Sequence, residues 1–450
     1  MDYLNKQVAV IGLGISNTPL IRYLAENGAR VTVFDKKTAA DLKEYMSQLA
    51  GLKLAYRLGE DYLQYLKDFD YIMLTPGMRK DLPELKKARE AGAVFSSEME
   101  LFLSKCPGRI IGITGSSGKT TTTTLIGSII TSVYPSAYVG GNIGRSLMGK
   151  LPEMTADSRV VLELSSFQLQ ELKQSPNLAV ITNITPNHLD MHASMEEYIE
   201  AKSNILRYQG PDDAAILNYD NEITRSLSGL AKGKLYFFSR LQPLDEGAYL
   251  DGEKLIIKLN GKSRVVTTRD RLQLLGNHNV ENILTASLAC SLSGAPLSVI
   301  AKTVEGFTGV EHRLEFVREL NGVKYYNDSI STTPDRAIAG LSAMTRPVVL
   351  LAGGYDKHLP FDNLAPVIVK QCKHLVVLGA TAPQIIKAVK AVKAEFPITQ
   401  VSTFEEAVSA AAGLAAPGEV VLLSPACASY DMFANYQERG ALFKKLVREM

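Results

Sequence analysis

The run Gly112-Ile113-Thr114-Gly115-Ser116-Ser117-Gly118-Lys119-Thr120-Thr121 constrains this chain more than any other stretch. The apolar Arg109-Ile110-Ile111 precedes it, and Leu125-Ile126-Gly127-Ser128-Ile129-Ile130 follows. A short buried strand therefore feeds a glycine-rich turn that opens a helix. Such a turn aims several backbone N–H groups and a helix N-terminus at one point, and that point attracts phosphate. Gly115, Ser116, Ser117 and Gly118 form the expected cradle, with Lys119, Thr120 and Thr121 at the helix start. Lys119 adds a mobile cation for the terminal phosphates, and the Thr120 hydroxyl can bind Mg²⁺. The common phosphate-loop spelling has glycine where Ile113 stands, so this is the tighter variant Thr-Gly-x-x-Gly-Lys-Thr. The competing reading is a serine- and threonine-rich loop with an ordinary surface lysine.

At 450 residues the chain exceeds what one core can hold. Its 46% hydrophobic and 21% charged residues describe an ordinary globular protein. A net charge of +2 gives no electrostatic case for nucleic acid or an anionic membrane. Cys106, Cys290, Cys372 and Cys427 are scattered without a Cys-x-x-Cys pair, which argues against a zinc knuckle or disulfide framework and for free thiols in a reducing compartment. The apolar run Val8–Leu13 is too short for a signal peptide, and no stretch approaches the ~20 apolar residues of a membrane span. These features point to a cytoplasmic protein.

Alternating strand and helix patterns divide the chain into three α/β units, expected at residues 1–97, 98–308 and 309–450. In the first, Val8–Ile11 and Val31–Phe34 read as buried parallel strands, with a helix over Leu20–Asn27 between them. Tyr71–Leu74 is a further strand. This is a Rossmann-like unit. The second holds the phosphate loop and strands Ile110–Ile113, Val160–Leu162, Ala179–Thr182 and Ala214–Leu217. There Asn260-Gly261 predicts a type I′ hairpin, and a helix around Val280–Leu292 is expected to close the domain. In the third, Val348–Leu351, Leu375–Leu378 and Val420–Leu423 alternate with helical segments, as in a second Rossmann-like sheet.

Several constellations carry chemistry. The turn Gly12-Leu13-Gly14-Ile15-Ser16-Asn17 lacks the glycine a dinucleotide fingerprint needs at Asn17. Asp35, ending the next strand, stands where an acid commonly meets a ribose, and Thr75 closes a loop at the same strand ends. Glu163, at the end of a buried strand beside the phosphate loop, is placed to hold Mg²⁺; a surface ion pair is its alternative. Ser165 and Gln168 follow it and suit a polar, uncharged ligand. His188-x-Asp190-x-His192 could spell zinc, but no further ligand has zinc spacing. We read His188 as a ligand of a second Mg²⁺ and His192 as packing. Ser194-Met195-Glu196-Glu197 is a capping box. On its helix Tyr198, Lys202 and Ile205 share the inward stripe. A buried bare ammonium is costly, so Lys202 either snorkels outward or is carbamylated by CO₂ into an anionic metal ligand. Asn279 and Asn282 suit the edge of a planar base, or a helix N-cap. Asp328, Lys357 and Ser429 lie in loops that emerge from strand C-terminal ends, where open sheets bind ligands. Arg313 could reach a phosphate.

The order of these pieces resembles the Mur ligase family, ATP-dependent amino-acid ligases of peptidoglycan synthesis. Carrying the resemblance are residues 114–120, Gly140-Gly141-Asn142-Ile143-Gly144, Leu162–Gln168, His188, Lys202, His278-Asn279-x-x-Asn282, Glu311-His312-Arg313 and Asn327-Asp328-Ser329. The strings 162–169 and 423–433 resemble the branch that adds D-glutamate. The resemblance implies three domains, with a central ATPase-like sheet between two Rossmann-like ones. It implies ATP and two Mg²⁺ ions as cofactors, UDP-N-acetylmuramoyl-L-alanine and D-glutamate as substrates, and a monomer. Ile15, Ser16, Asp35 and Lys36 would hold the UDP end, and Asn142, Ser165, Gln168 and His188 the muramoyl-alanine part. Lys119, Asn279, Asn282, Arg313 and Asp328 would bind ATP. Thr120 and Glu163 would hold one Mg²⁺; Glu163, His188 and carbamylated Lys202 would hold the other. Thr332, Lys357, Ser429 and Tyr436 would receive D-glutamate. Where some members carry Asp, Lys and Phe, this chain has Asn187, Ile330 and Tyr436. A folate-glutamylating relative and a nucleotide-sugar sensor without turnover are the rival readings.

Overall fold

The structure, a computed structural model, describes residues 3–450 except 77, 80, 144, 145, 187–191, 193, 275 and 358. It forms two compact units, Met1–Phe307 and Thr308–Met450. The α/β class expected from the alternating patterns is what the chain adopts.

The first unit contains two sheets. One has five parallel strands in the spatial order Ala55–Leu58, Arg30–Asp35, Gln7–Ile11, Tyr71–Leu74, Val94–Ser97. Valines, isoleucines and phenylalanine fill these strands on both faces, because helices and their connections cover both. The helix after the first strand runs Asn17–Glu26 and so starts earlier than its apolar stripe suggests. Asn17 explains the early start. Its side-chain amide donates to the carbonyls of Ile11 (3.0 Å) and Gly12 (2.8 Å), tying the helix to the strand it leaves.

The second sheet has nine strands. Arg109–Thr114 lies between Arg159–Glu163 and Leu178–Ile181, all parallel. At its far edge Gly247–Asp251, Lys254–Leu259 and Lys262–Thr268 form an antiparallel meander, the last two joined through Asn260 and Gly261, both at positive φ as the hairpin predicts. Helices Lys119–Val133 and Asn277–Leu292 pack together on this sheet, burying Ile126, Ile129 and Ile130 with Ile283, Leu284 and Leu288. The second of these does not close the domain. A further helix, Leu297–Gly306, inserts Ile300 and Val304 into the same core. Gly294 and Pro296 break the chain between the two, which conceals the continuation in a periodicity scan.

The second unit is built on a six-stranded sheet. Val323–Asn327, Val420–Leu423, Val348–Gly353, Cys372–Leu378 and Ile398–Gln400 run parallel, and Glu315–Leu320 adds an antiparallel edge. Thr333 and Pro334 open the helix Pro334–Ser342, with proline at the first helical position, although the Thr333 side chain makes no capping bond. All four cysteines are free thiols. Among the described residues no helix is long and apolar enough to cross a membrane.

The pair of helices under the nine-stranded sheet seats the phosphate loop, so its core should govern the first unit's stability. Leu288→Ala, at a fully buried position, is expected to cost about 2–5 kcal/mol. Urea unfolding followed by far-UV circular dichroism checks this; an unchanged midpoint would show that the helix pair is not the seat.

Candidate active site

Gly115 leaves the strand Arg109–Thr114 at φ 150°, and a Cβ there would collide with the Thr182 hydroxyl. Only glycine allows this approach. Gly118 is left-handed at φ 79° and caps the helix Lys119–Val133; a Cβ on it would strike the Asn282 side-chain oxygen. The loop is thus pressed between two neighbouring elements. From one side Thr182 donates its hydroxyl to the Ser117 carbonyl (2.6 Å). Asn183 accepts from the Ser117 N–H (3.0 Å) with its side-chain oxygen and from the Ser116 N–H (2.8 Å) with its carbonyl. From the other side Asn282 accepts from the Thr122 hydroxyl (3.3 Å) and donates to Asn279 (3.1 Å). The helix carrying these asparagines is capped at Gly276 without a side-chain bond, so the N-capping alternative does not hold.

Two lysines converge on this loop. Lys119 donates to the carbonyls of Gly115 (2.9 Å) and Ser116 (3.2 Å). Lys202 donates to the same Gly115 carbonyl (2.9 Å) and, more weakly, to the Thr114 hydroxyl (3.4 Å). Its Nζ lies 4.6 Å from the centre of the Tyr198 ring. Lys202 is 1% exposed and does not snorkel outward, which removes one of the two alternatives. Burial, with the nearby Lys119 charge, pushes its amine down to about 6, against a smaller opposing pull from Glu163.

Glu163 ends the strand Arg159–Glu163 and is buried. Asn142 donates to its Oε1 (2.8 Å), while Oε2 is buried without a partner among the described residues. A desolvated carboxylate oxygen facing no donor is what a cation would relieve. With the Thr120 hydroxyl at the helix start, the donor set fits Mg²⁺, which prefers oxygen ligands. His188 lies outside the described residues. Among those described, no group of three or more His, Cys, Asp or Glu gathers as a metal site. His192 packs as expected, stacked on Phe167 at 5.1 Å with Nε2 3.0 Å from the Ser166 hydroxyl.

Some predicted ligand residues are already engaged. Ser165 and Gln168 form a capping box with each other: Gln168 N–H donates to Ser165 Oγ (3.2 Å), and Ser165 N–H and Oγ donate to Gln168 Oε1 (2.9 and 3.0 Å). Ser194 caps its helix by accepting from Glu197 N–H (3.2 Å), while the Glu197 carboxylate accepts from Gln170 (2.6 Å). Asp35 accepts from the N–H groups of Leu13 (2.7 Å) and Lys37 (2.8 Å), bracing the glycine turn that presents exposed Ile15 and Ser16. Lys36 and Thr75 directly follow the strands Arg30–Asp35 and Tyr71–Leu74, which flank Gln7–Ile11 in that sheet.

In the second unit Asp328 is buried and accepts from Ser331 Oγ (2.5 Å), Ser424 Oγ (2.8 Å) and Leu314 N–H (3.2 Å). Burial pushes its carboxyl up to about 6 despite those donors and the Arg313 charge. Thr332 and Lys357 line one small cavity of about 10 Å³ with Tyr355, Thr381 and Cys427. The Ser429 hydroxyl is buried without a partner among the described residues, and the Tyr436 carbonyl accepts from Ser329 Oγ (2.8 Å).

Thr182, Asn183 and Tyr198 escaped the sequence reading as loop braces. Tyr198 places its hydroxyl 3.0 Å from Ser116 Oγ. The available signal was a polar pair, Thr182-Asn183, directly after a buried strand adjacent to the phosphate-loop strand.

Three family descriptions match this chain, one for each sheet: "Mur ligase MurD-like, N-terminal domain" over residues 6–96, "Mur ligase middle domain" over 113–290, and "Mur ligase, glutamate ligase domain" over 312–427. A UDP-N-acetylmuramoylalanine–D-glutamate ligase from Acetivibrio thermocellus is 48% identical over 452 residues, covering 99% of this chain and 97% of that protein. One of the same description from Symbiobacterium thermophilum is 47% identical over 449 residues, covering 99% of each. Among solved structures, UDP-N-acetylmuramate–alanine ligase from Thermotoga maritima shares the fold with a TM-score of 0.59 at 19% identity, covering 99% of this chain and all (100%) of that one. The MurF ligase of Acinetobacter baumannii does so at 0.57 and 18%, covering 98% and 94%.

The lowered Lys202 pKa fixes a pH dependence. Lys202 is neutral in the folded protein above about 6 and charged in the unfolded chain up to 10.5, so folding releases a proton between those values and wild-type stability climbs with pH across that window. Lys202→Met is therefore expected to be more stable than wild type near neutral pH in CO₂-free buffer, by up to about 4 kcal/mol. The advantage should shrink as pH rises. Urea midpoints across the window check this, and a pH-independent difference would mean that the folded site holds a charged ammonium.

Proposed function

The chain belongs to the Mur ligase family, and on that premise we propose that it adds D-glutamate to UDP-N-acetylmuramoyl-L-alanine, driven by ATP, in the synthesis of peptidoglycan precursors. The observation that carries this reading is the braced phosphate loop with Glu163 Oε2 and the Lys202 amine beside it. The Acetivibrio and Symbiobacterium relatives supply the substrate identity.

A carboxylate does not condense with an amine in water, because oxide is too poor a leaving group. In the proposed reaction the alanine carboxylate attacks the γ-phosphorus of ATP, and ADP departs, leaving an acyl phosphate. The amine nitrogen of D-glutamate then attacks the acyl carbon. The tetrahedral intermediate collapses to an amide and inorganic phosphate. Lys119 moves from the carbonyls of Gly115 and Ser116 to the terminal phosphates, where its charge offsets the charge in transfer. Backbone N–H groups of the loop from Gly115 to Thr121 hold the phosphates in place.

The two Mg²⁺ ions would be held by Thr120 and Glu163, and by Glu163, His188 and carbamylated Lys202; when bound they neutralise phosphate charge. Carbamylation requires a neutral amine: Lys202 nitrogen bonds to the carbon of CO₂, a proton leaves, and a buried neutral amine becomes an anion that complements a metal. The depressed amine pKa supports this. Asn279, Asn282 and Arg313 complete the assigned ATP contacts, and Asp328 contributes by fixing its own loop. Ile15, Ser16, Asp35, Lys36, Thr75, Asn142, Ser165, Gln168 and His188 are assigned to the UDP-substrate. Thr332, Lys357, Ser429 and Tyr436 are assigned to D-glutamate. The division at 1–97, 98–308 and 309–450, a monomeric state and a cytoplasmic location belong to the same proposal.

Lys119→Ala is expected to keep its affinity for the UDP-substrate while phosphate release falls by roughly 10³-fold or more. The assay is phosphate release with both substrates, with D-glutamate omitted, and with L-glutamate in its place. Near-wild-type turnover by Lys119→Ala, or release indifferent to D-glutamate, would defeat the reading.

A further inference from the structure

Among the described residues Arg439 heads the largest side chains that are fully buried. It lies on the helix Tyr436–Glu449, and no carboxylate pairs with it among the described residues. Its fork is directed entirely at neutral oxygens. Nε donates to Ser329 Oγ (3.0 Å), and Nη2 to the carbonyls of Ser329 (2.9 Å) and Cys427 (3.1 Å). Nη1 donates to the carbonyls of Cys427 (3.1 Å) and Ala428 (3.3 Å). A guanidinium buried without a carboxylate is expensive to maintain, so its geometry calls for an explanation.

Those acceptors belong to two loops. One follows the strand Val323–Asn327 and runs on to Thr332; the other follows the adjacent strand Val420–Leu423 and runs on to Ser429. The second loop is strained, with non-glycine Ala426 at φ 60°, so it needs external restraint to hold its shape. Cys427 lines the small cavity together with Thr332 and Lys357, and Thr381 Oγ1 sits 3.1 Å from its sulfur. The Ala428 carbonyl, held by Arg439, also accepts from Tyr355 N–H (2.9 Å). Beside this fully bonded set the Ser429 hydroxyl is buried with no partner among the described residues.

We propose that Arg439 is a positioning residue for the incoming amino acid: its guanidinium locks the Ser329 and Cys427–Ala428 loops together and so fixes Thr332 and Ser429 relative to each other, leaving the Ser429 hydroxyl for the ligand. This rests on the assignment of D-glutamate to Thr332, Lys357, Ser429 and Tyr436. It touches no reacting atom. A lysine cannot replace it, because one ammonium with three donors does not span acceptors arranged for a planar fork.

The test is steady-state kinetics of the full chain, varying D-glutamate, ATP and UDP-N-acetylmuramoyl-L-alanine in turn, together with thermal melting. Arg439→Lys is expected to raise KM for D-glutamate about tenfold or more, with the other two KM values within about twofold of wild type. Ser329→Ala removes one acceptor and keeps the guanidinium, and is expected to shift the same KM in the same direction by a smaller factor. It stands in if Arg439→Lys does not fold. A lowered melting temperature with D-glutamate KM unchanged in the folded variant, or KM values for all three substrates rising together, would overturn the inference. Lys357→Ala separates the two levels. If it raises D-glutamate KM while Arg439→Lys and Ser329→Ala do not, the clamp alone is wrong; if it leaves that KM unchanged, the pocket assignment fails and the clamp with it.

Discussion

Two lysine amines meet at the carbonyl oxygen of Gly115, and the rest of the central site is arranged around that meeting. Two full positive charges so close in a desolvated site would repel strongly. The structure resolves the conflict by burying one of them: Lys202 sits beneath the loop against Tyr198, where loss of solvent removes its proton, while Lys119 is only partly buried and keeps a route to a phosphate. The backbone makes this possible. Gly115, pressed on Thr182 at a conformation few side chains tolerate, turns its carbonyl toward both amines. A neutral amine beside a buried carboxylate is poised to change its charge by reaction with CO₂, and a charged one would not be.

One constructional rule recurs in all three sheets. Where the chain leaves a strand, backbone groups lose their ladder partners and must be satisfied from elsewhere. Asp35 serves Leu13 and Lys37, Asn183 serves Ser117, and Asp328 serves Leu314. Each brace comes from a strand end next to the loop that it holds. A loop held in this way keeps its shape before a ligand arrives, so binding does not have to supply the ordering.

Much of the scaffold was legible in the sequence because period and punctuation agree. The strand before Gly115, the Asn260-Gly261 hairpin and the inward stripe of Tyr198, Lys202 and Ile205 all follow from local chemistry and recur in the structure. The helix Leu297–Gly306 was hidden by the Gly294–Pro296 break, and the early start at Asn17 by a polar residue whose role is to bond back to its own strand. Lys202 illustrates the limit more sharply. Spacing put it on the inner face but could not choose between snorkelling and burial, since that depends on Tyr198 and the loop closing above it, contacts between residues more than eighty positions apart.

The same limit explains why braces and ligands look alike in a sequence. Asp328, Gln168, Glu163 and Ser429 are all polar residues just beyond buried strands, and composition assigns all four to a substrate or cofactor. Hydrogen-bond accounting separates them. Asp328 is saturated by protein donors, so its contribution is to shape a loop, and of the Gln168 amide only Oε1 is likewise spent, on Ser165. Glu163 Oε2 and Ser429 Oγ are buried and unpartnered among the described residues. The other side-chain oxygens in that condition, on Thr123, Ser287 and Gln209, belong to helices or to the segment after one. A desolvated polar atom without a partner destabilises a fold by about 1–3 kcal/mol. Two of them at strand ends, beside a phosphate loop and beside a small cavity, are therefore best explained by ligands that complete their bonds, a cation at one and an amino acid at the other.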